Sequence, residues 1–209
     1  MGPLSSDLLI QAYALGVFPM ARSRDDRRLY WIDPELRGIL PLAGFHVSKR
    51  LRKTLRRGGF EIRCDTAFEA VMRACGEPAE GRAESWINEE IVRLFLDLFR
   101  LGLAHSVESW REGRLVGGLY GLGLGAAFFG ESMFSRETDA SKVALVHLVA
   151  RLKRGGFQLL DTQFVTSHLQ QFGAIEIPRD AYREQLAAAI DRHAVFDRVS
   201  NVGWEEALS

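Results

Sequence analysis

The chain has 209 residues, 47% of them hydrophobic, and its 27 Lys and Arg balance its 27 Asp and Glu. This composition excludes a disordered chain and allows a sizeable core in one medium domain, or in one domain plus a small appendage. A neutral total charge does not announce a nucleic-acid binder, so any such surface has to be a local patch. Cys64 and Cys75 have no second pair and no histidine at zinc spacing, which disfavours a disulfide framework and a structural metal and suits a reducing compartment. The first residues lack a basic stretch followed by an apolar run, and no segment approaches the roughly 20 apolar residues of a membrane span. A cytoplasmic protein without membrane partners is the expectation.

In chain order, Leu8, Leu9, Tyr13 and Leu15 have helical spacing over Asp7 to Leu15, and the Gly and Pro signals of Gly16 to Met20 end that helix. A charged loop, Tyr30-Trp31 and the Asp33-Pro34 turn close a small N-terminal unit. Ser48 is spaced as the N-cap of a short helix with Leu51 and Leu55 inward, ended by Gly58-Gly59. Further helices are expected over Asp65 to Cys75 and Asn88 to Arg100, separated by a polar loop, Gly76 to Glu84. After Gly102 the period changes to two, and Arg111-Glu112-Gly113 predicts a hairpin into Leu115 to Tyr120. A further extended run, Ala126 to Phe134, leads to an apolar helix that begins at Thr138 or Asp139 and ends at Gly155-Gly156. Phe157 to Phe164 then has the pattern of a buried strand. An extended run, a crossover helix and another strand make a βαβ unit, so the sheet is mixed.

Strand periodicity puts Asp161 and Gln163 on one face, with Phe157 and Leu159. A carboxylate in so apolar a strand is either functional or satisfied structurally by backbone amides. Glu131, among Phe128, Phe129, Met133 and Phe134, is either solvent-facing or functional. Lys49, Arg50, Arg52, Lys53, Arg56 and Arg57 crowd one helix with no anion among them, a pattern that serves phosphate contact or simple solubility. The glycines of Gly117-Gly118 and Gly121-x-Gly123-x-Gly125 fit no phosphate-loop pattern and point to a hairpin with positive φ angles. His147 and His168 are read as packing residues.

Four motifs occur in series: Gly-Glu-Ser-Met-Phe-Ser-Arg (Gly130 to Arg136), Asp-Ala-Ser-Lys (Asp139 to Lys142), Leu-Asp-Thr-Gln (Leu160 to Gln163) and Gly-Ala-Ile-Glu-Ile-Pro-Arg (Gly173 to Arg179). With Tyr13, Gly16 to Pro19, Trp86-Ile87, His105 to Glu108 and Gly117 to Gly121, they make a pattern running from Leu8 to Tyr182 that resembles the leucyl/phenylalanyl-tRNA–protein transferases. The resemblance implies an α+β fold, with a small N-terminal domain over 1–34 and a GNAT-like acyltransferase domain over 35–209 in which helices flank a mixed sheet. It implies transfer of Leu, also Phe and Met, from charged tRNA to the α-amine of proteins beginning with Lys or Arg, which marks them for N-degron degradation. No metal, diffusible cofactor or DNA partner is implied.

By the same resemblance, Asp161 and Gln163 meet the reacting ester, with Asp161 as direct base or as orienting group, and Glu131 holds the acceptor's cationic side chain. Leu119, Phe128, Leu145, Leu148 and Leu160 line the donor side-chain pocket, while Trp86, Met20 and Tyr13 belong to the adenosine site. Lys49, Arg50, Arg52, Lys53, Arg56 and Arg57 meet the tRNA backbone. The chain departs from the family at Met20, where Trp is frequent, at Phe95, where Tyr is common, and in lacking a leader segment that longer members carry. Two alternatives are a CoA-dependent N-acetyltransferase and a non-catalytic tRNA-binding module. Against the first, Ser135 to Asp139 lacks the glycines of a pyrophosphate loop. The second leaves Asp161, Gln163 and Glu131 without a role.

Overall fold

A computed structural model describes residues 4–26, 28–78, 84–198 and 201–208. The N-terminal unit starts with α1 (Ser6–Ala14), where the Ser5 hydroxyl accepts from the Leu8 amide at 3.2 Å, and Leu9 and Tyr13 turn inward. Strands β1 (Phe18–Met20) and β2 (Tyr30–Ile32) pair as an antiparallel ribbon.

The remaining strands are β3 (Leu36–Ile39), β4 (Glu61–Cys64), β5 (Ala104–Arg111), β6 (Arg114–Leu124), β7 (Ala127–Ser135), β8 (Leu159–Gln163) and β9 (Ile175–Pro178). They form one seven-stranded sheet in the order β4-β5-β6-β7-β8-β3-β9. The β7–β8 pair is parallel and the other recorded pairs are antiparallel, so the sheet is mixed as expected. The crossover between β7 and β8 is α5 (Ala140–Arg154). Helices α1, α3 (Phe68–Cys75), α4 (Glu89–Arg100) and α7 (Arg179–Ile190) contribute to the core on one face. The other face carries α2 (Lys49–Arg57), α5 and a final 3₁₀ turn, Trp204–Leu208.

Local chemistry explains where the elements begin. Ser48 and Asn88 accept from Leu51 and Ile91 through their side chains, as N-caps do. The expected helix from Asp65 begins only at Phe68, because Asp65 adopts a left-handed backbone (φ 59°) and its carboxylate accepts from the Ser106 amide at 2.7 Å. Glu108, fully buried on β5, supplies the missing cap by accepting from the Thr66 and Ala67 amides at 2.9 and 2.8 Å. Asp139 does not cap α5 with its side chain, which instead accepts from Thr54 Oγ1 at 3.1 Å. Of the expected loop 76–84, residues 79–83 lie outside the described residues.

The glycine-rich run is not the positive-φ hairpin expected of it. Only Gly125 in it has positive φ, and the others lie in or beside β6 with ordinary backbone angles. Gly117 is required by close approach, since a Cβ there would lie 2.5 Å from the Ala140 side chain at the start of α5. Among the described residues no helix is long and apolar enough to cross a membrane, and no cluster of His, Cys, Asp and Glu is arranged to hold a metal.

Candidate active site

The two parallel strands part company midway. β7 and β8 pair only from Ala127–Leu159 to Phe129–Asp161; beyond that β7 stays with β6 while β8 pairs with β3 at Gly38. The wedge between Gly130 to Arg136 on one side and Thr162 to Thr166 on the other opens into a cavity of about 750 Å³. Leu119, Leu145, Leu148, Leu160 and Met133 supply apolar lining, and Phe18, Met20 and Trp86 line it from the N-terminal ribbon and the segment before α4. Glu131 and Gln163 also face it.

Gln163 reaches the cavity through an irregular backbone. Its φ is +57°, and the Phe164 amide donates to the Thr162 carbonyl across it at 2.6 Å, which makes a γ-turn of the rare positive-φ kind. The strand alternation therefore ends at Thr162. Leu160, Thr162 and Gln163 line the cavity, and Asp161 points to the opposite side of the sheet, 0% exposed. The expected common face for Asp161 and Gln163 is thus corrected by the turn at Gln163.

Asp161 is occupied by four donor groups. Arg37 Nε lies 3.0 and 3.2 Å from its two oxygens, Arg37 Nη2 donates to Oδ2 at 2.6 Å, the Tyr182 hydroxyl donates to Oδ2 at 2.6 Å, and the Gln163 amide donates to Oδ1 at 2.8 Å. Burial alone would lower the Arg37 pKa, but the bonds to Asp161 outweigh it and raise the net value, so the guanidinium stays charged. An Asp so held is set apart from the cavity and meets Gln163 through that residue's backbone amide.

The Gln163 amide is assigned from its hydrogen bonds. With Nε2 donating to the Gly130 and Thr162 carbonyls at 2.9 and 3.2 Å, its Oε1 faces Glu131 Oε1 at 3.5 Å. Two acceptor oxygens that close favour a proton or a cation between them. Glu131 is enclosed by protein but keeps a partly accessible face toward the cavity, and burial pushes its carboxyl up to about 8, with the Asp161 charge adding to the rise. Tyr13 and Arg37 oppose that shift.

Two expected site residues lie elsewhere. Phe128 is 0% exposed and packs among Phe157 and Phe196, below the pocket residues, because its position on β7 precedes the parting of the strands. Tyr13 is also 0% exposed, its ring edge-on to Phe95 and Phe129, and burial with the Glu131 charge raises its phenol well above the ordinary value. Phe95 is buried against it, so that departure falls in the core. His168, read as packing, lines the cavity from the short helix α6 (Ser167–Gln170), whereas burial pulls the His147 imidazole down to about 4, as a packed neutral ring requires.

The basic helix α2 buries Leu51 and Leu55 and exposes Lys49, Arg50, Lys53, Arg56 and Arg57. Arg52 donates to the Val47 carbonyl at 3.0 Å, and Arg50 stands 3.7 Å from Asp139. Arg50 also edges a shallower hollow that shares Ser135, Arg136, Ser141 and His168 with the main cavity. The side of the molecule bearing α2 is therefore continuous with the cavity mouth.

Sequence reasoning missed Arg37 and Tyr182, whose contacts with Asp161 span 124 and 21 positions and leave no local signal. Phe18 was within the Gly16 to Pro19 motif, yet its place in the cavity wall depends on the fold of the N-terminal unit.

Chemically, the cavity offers apolar walls that can bury a side chain and an acceptor pair suited to a cationic or proton-bearing group. Such a pairing fits acyl transfer to an amine. Residues 39–187 match the family model for leucyl/phenylalanyl-tRNA protein transferase, and residues 2–35 match the one for that enzyme's N-terminal domain. The chain is 72% identical over 208 residues to the leucyl/phenylalanyl-tRNA–protein transferase of Paramagnetospirillum magneticum, with both chains fully covered. Proteins of the same name from Rhodospirillum rubrum and Rhodopseudomonas palustris are 60% and 55% identical, covering 90% and 93% of this chain and 88% and 87% of theirs. Among solved structures, L-PGS from Bacillus licheniformis aligns at a TM-score of 0.41 and 14% identity, over 86% of this chain and 62% of that one. The chain belongs to the leucyl/phenylalanyl-tRNA–protein transferase family. It is an aminoacyltransferase that moves an amino acid from tRNA to protein.

Proposed function

We propose that the cavity takes the aminoacyl ester of leucyl-, phenylalanyl- or methionyl-tRNA and passes it to proteins whose N-terminal residue is Lys or Arg. The observation that carries this reading is the cavity itself, in which Leu119, Leu145, Leu148 and Leu160 share one space with Glu131 and Gln163. Burying a Leu, Phe or Met side chain against such walls stabilises the donor by roughly 1.5–3 kcal/mol, and a polar side chain gains nothing comparable. Trp86 offers a stacking surface for the terminal adenine, worth about 1–3 kcal/mol, with Met20 as an apolar second wall.

The acceptor's α-amine meets Gln163 Oε1, and Glu131 attracts its cationic side chain. As the amine nitrogen bonds to the ester carbonyl carbon, the bond from that carbon to the ribose oxygen breaks, and the amine's proton passes to the departing oxygen. Asp161 acts through Gln163. The exposed cations of α2 hold the tRNA backbone by displacing counterions, which the hollow from Arg50 to the cavity mouth supports. No diffusible cofactor is required for this balance. The division into an N-terminal domain over 1–34 and a GNAT-like transferase domain over 35–209, action in the cytoplasm and a part in N-degron degradation belong to the same reading.

The test is transfer of labelled Leu, Phe, Met and Ala from tRNA to peptides beginning with Lys, Arg or Ala, beside an acetyl-CoA control. Transfer of the three apolar residues to Lys and Arg peptides alone is expected. Acetylation, or transfer to the Ala peptide at an equal rate, contradicts the reading.

A further inference from the structure

Arg37 is 1% exposed and sits at the centre of the contacts that hold the cavity floor. Its Nε and Nη2 grip Asp161, its Nη1 donates to the Gly16 carbonyl at 2.8 Å, and its guanidinium lies 4.5 Å from the ring centres of both Phe18 and Tyr182. Phe18 is a wall of the cavity, and Asp161 holds the Gln163 amide. One side chain thus joins the N-terminal wall to the turn that presents Gln163.

That turn needs support. A non-glycine residue at positive φ in a γ-turn is strained and persists only where its surroundings over-determine it. Asp161 bonds the amide of the strained residue, and Gly38, next to Arg37 on β3, lets the backbone come so near that a Cβ there would lie 2.6 Å from the Phe164 carbonyl carbon. A buried ion pair is a poor source of stability compared with apolar packing of the same volume, so its presence points to another use. Here the planar fork of arginine fixes the carboxylate's orientation, and through it the direction of the Gln163 amide.

We propose that Arg37 is a positioning residue for aminoacyl transfer, acting through Asp161 on the Gln163 turn while anchoring the Phe18 wall to it. The proposal rests on the reading of this cavity as the transfer site.

Arg37→Lys keeps the charge and loses the fork, and Tyr182→Phe removes one donor to Asp161 while keeping the ring and the ion pair. Single-turnover rates and leucyl-tRNA affinity are measured for each variant, alone and combined with Gln163→Ala. For Arg37→Lys we expect a loss of roughly 10- to 100-fold in rate with affinity within about twofold, and for Tyr182→Phe a smaller loss of the same kind. In the Gln163→Ala background neither substitution should lower the rate further, because residues acting as a unit are non-additive. A purely structural role would cost the same factor in both backgrounds, and that result, or full activity of both single variants, overturns the proposal. If Arg37→Lys does not fold, Tyr182→Phe carries the same comparison. Full activity of Gln163→Ala itself would instead overturn the site reading underneath, and the proposal with it.

Discussion

The backbone amide of Gln163 donates to Asp161 Oδ1 at 2.8 Å, so the two polar residues of the Leu-Asp-Thr-Gln motif are joined, one facing the cavity and the other buried behind it. Asp161→Asn leaves the buried Arg37 guanidinium without its counter-charge. Loss of one partner of a buried pair costs about 3–5 kcal/mol, so the variant should unfold at markedly lower urea concentration as well as lose activity. An unchanged unfolding midpoint would contradict the pairing.

Glu131, raised to about 8 by burial, predicts a pH dependence of opposite sign to an ordinary carboxylate. Its folded form binds the proton more tightly than the unfolded chain does, so its contribution to stability is lost as pH rises from the usual carboxylate range toward about 8. Binding of a cationic acceptor requires the charged form. The KM for an Arg peptide should therefore fall as pH rises toward 8, and Glu131→Gln should flatten that limb and leave only the titration of the peptide's own amine. A KM profile identical in the two proteins would remove Glu131 from the acceptor site.

Donor choice should follow the cavity wall. Leu148→Ala enlarges it and should relax selection between Leu and Phe by several-fold, read as ratios of kcat/KM. Phe128→Ala empties core volume below the wall and should cost about 3–5 kcal/mol of stability while changing donor ratios less. The reverse ranking would return Phe128 to the pocket.

The exposed cations of α2 carry a separate expectation. Reversing Lys53, Arg56 and Arg57 to Glu should raise the KM for charged tRNA and flatten its dependence on salt, and leave transfer from aminoacyl-adenosine near normal. Equal loss with both donors would place the effect in the fold.

Local chemistry was legible in the sequence. The Ser48 cap, the hairpin at Glu112-Gly113 and the βαβ crossover each follow from patterns continuous in the chain, and each is found. Of the cavity residues, Leu119, Leu145, Leu148, Leu160, Trp86, Met20, Glu131 and Gln163 were indicated by motif resemblance. Periodicity failed at Asp161 and Gln163, because one residue at positive φ reverses the face it presents. Phe128 and Tyr13 were misplaced for another reason: an apolar or aromatic side chain looks the same in a chain whether it lines a cavity or fills a core. Strands β3 and β9 went unrecognised, being short and defined by partners distant in sequence.

If Gln163, presented by its strained turn, meets the reacting groups as proposed, the single-turnover rate of Gln163→Ala on saturating leucyl-tRNA with an Arg peptide is where its loss is felt first. That rate should fall roughly 10²- to 10⁴-fold with the dissociation constant for leucyl-tRNA unchanged. A rate within about threefold of the unsubstituted enzyme would contradict it.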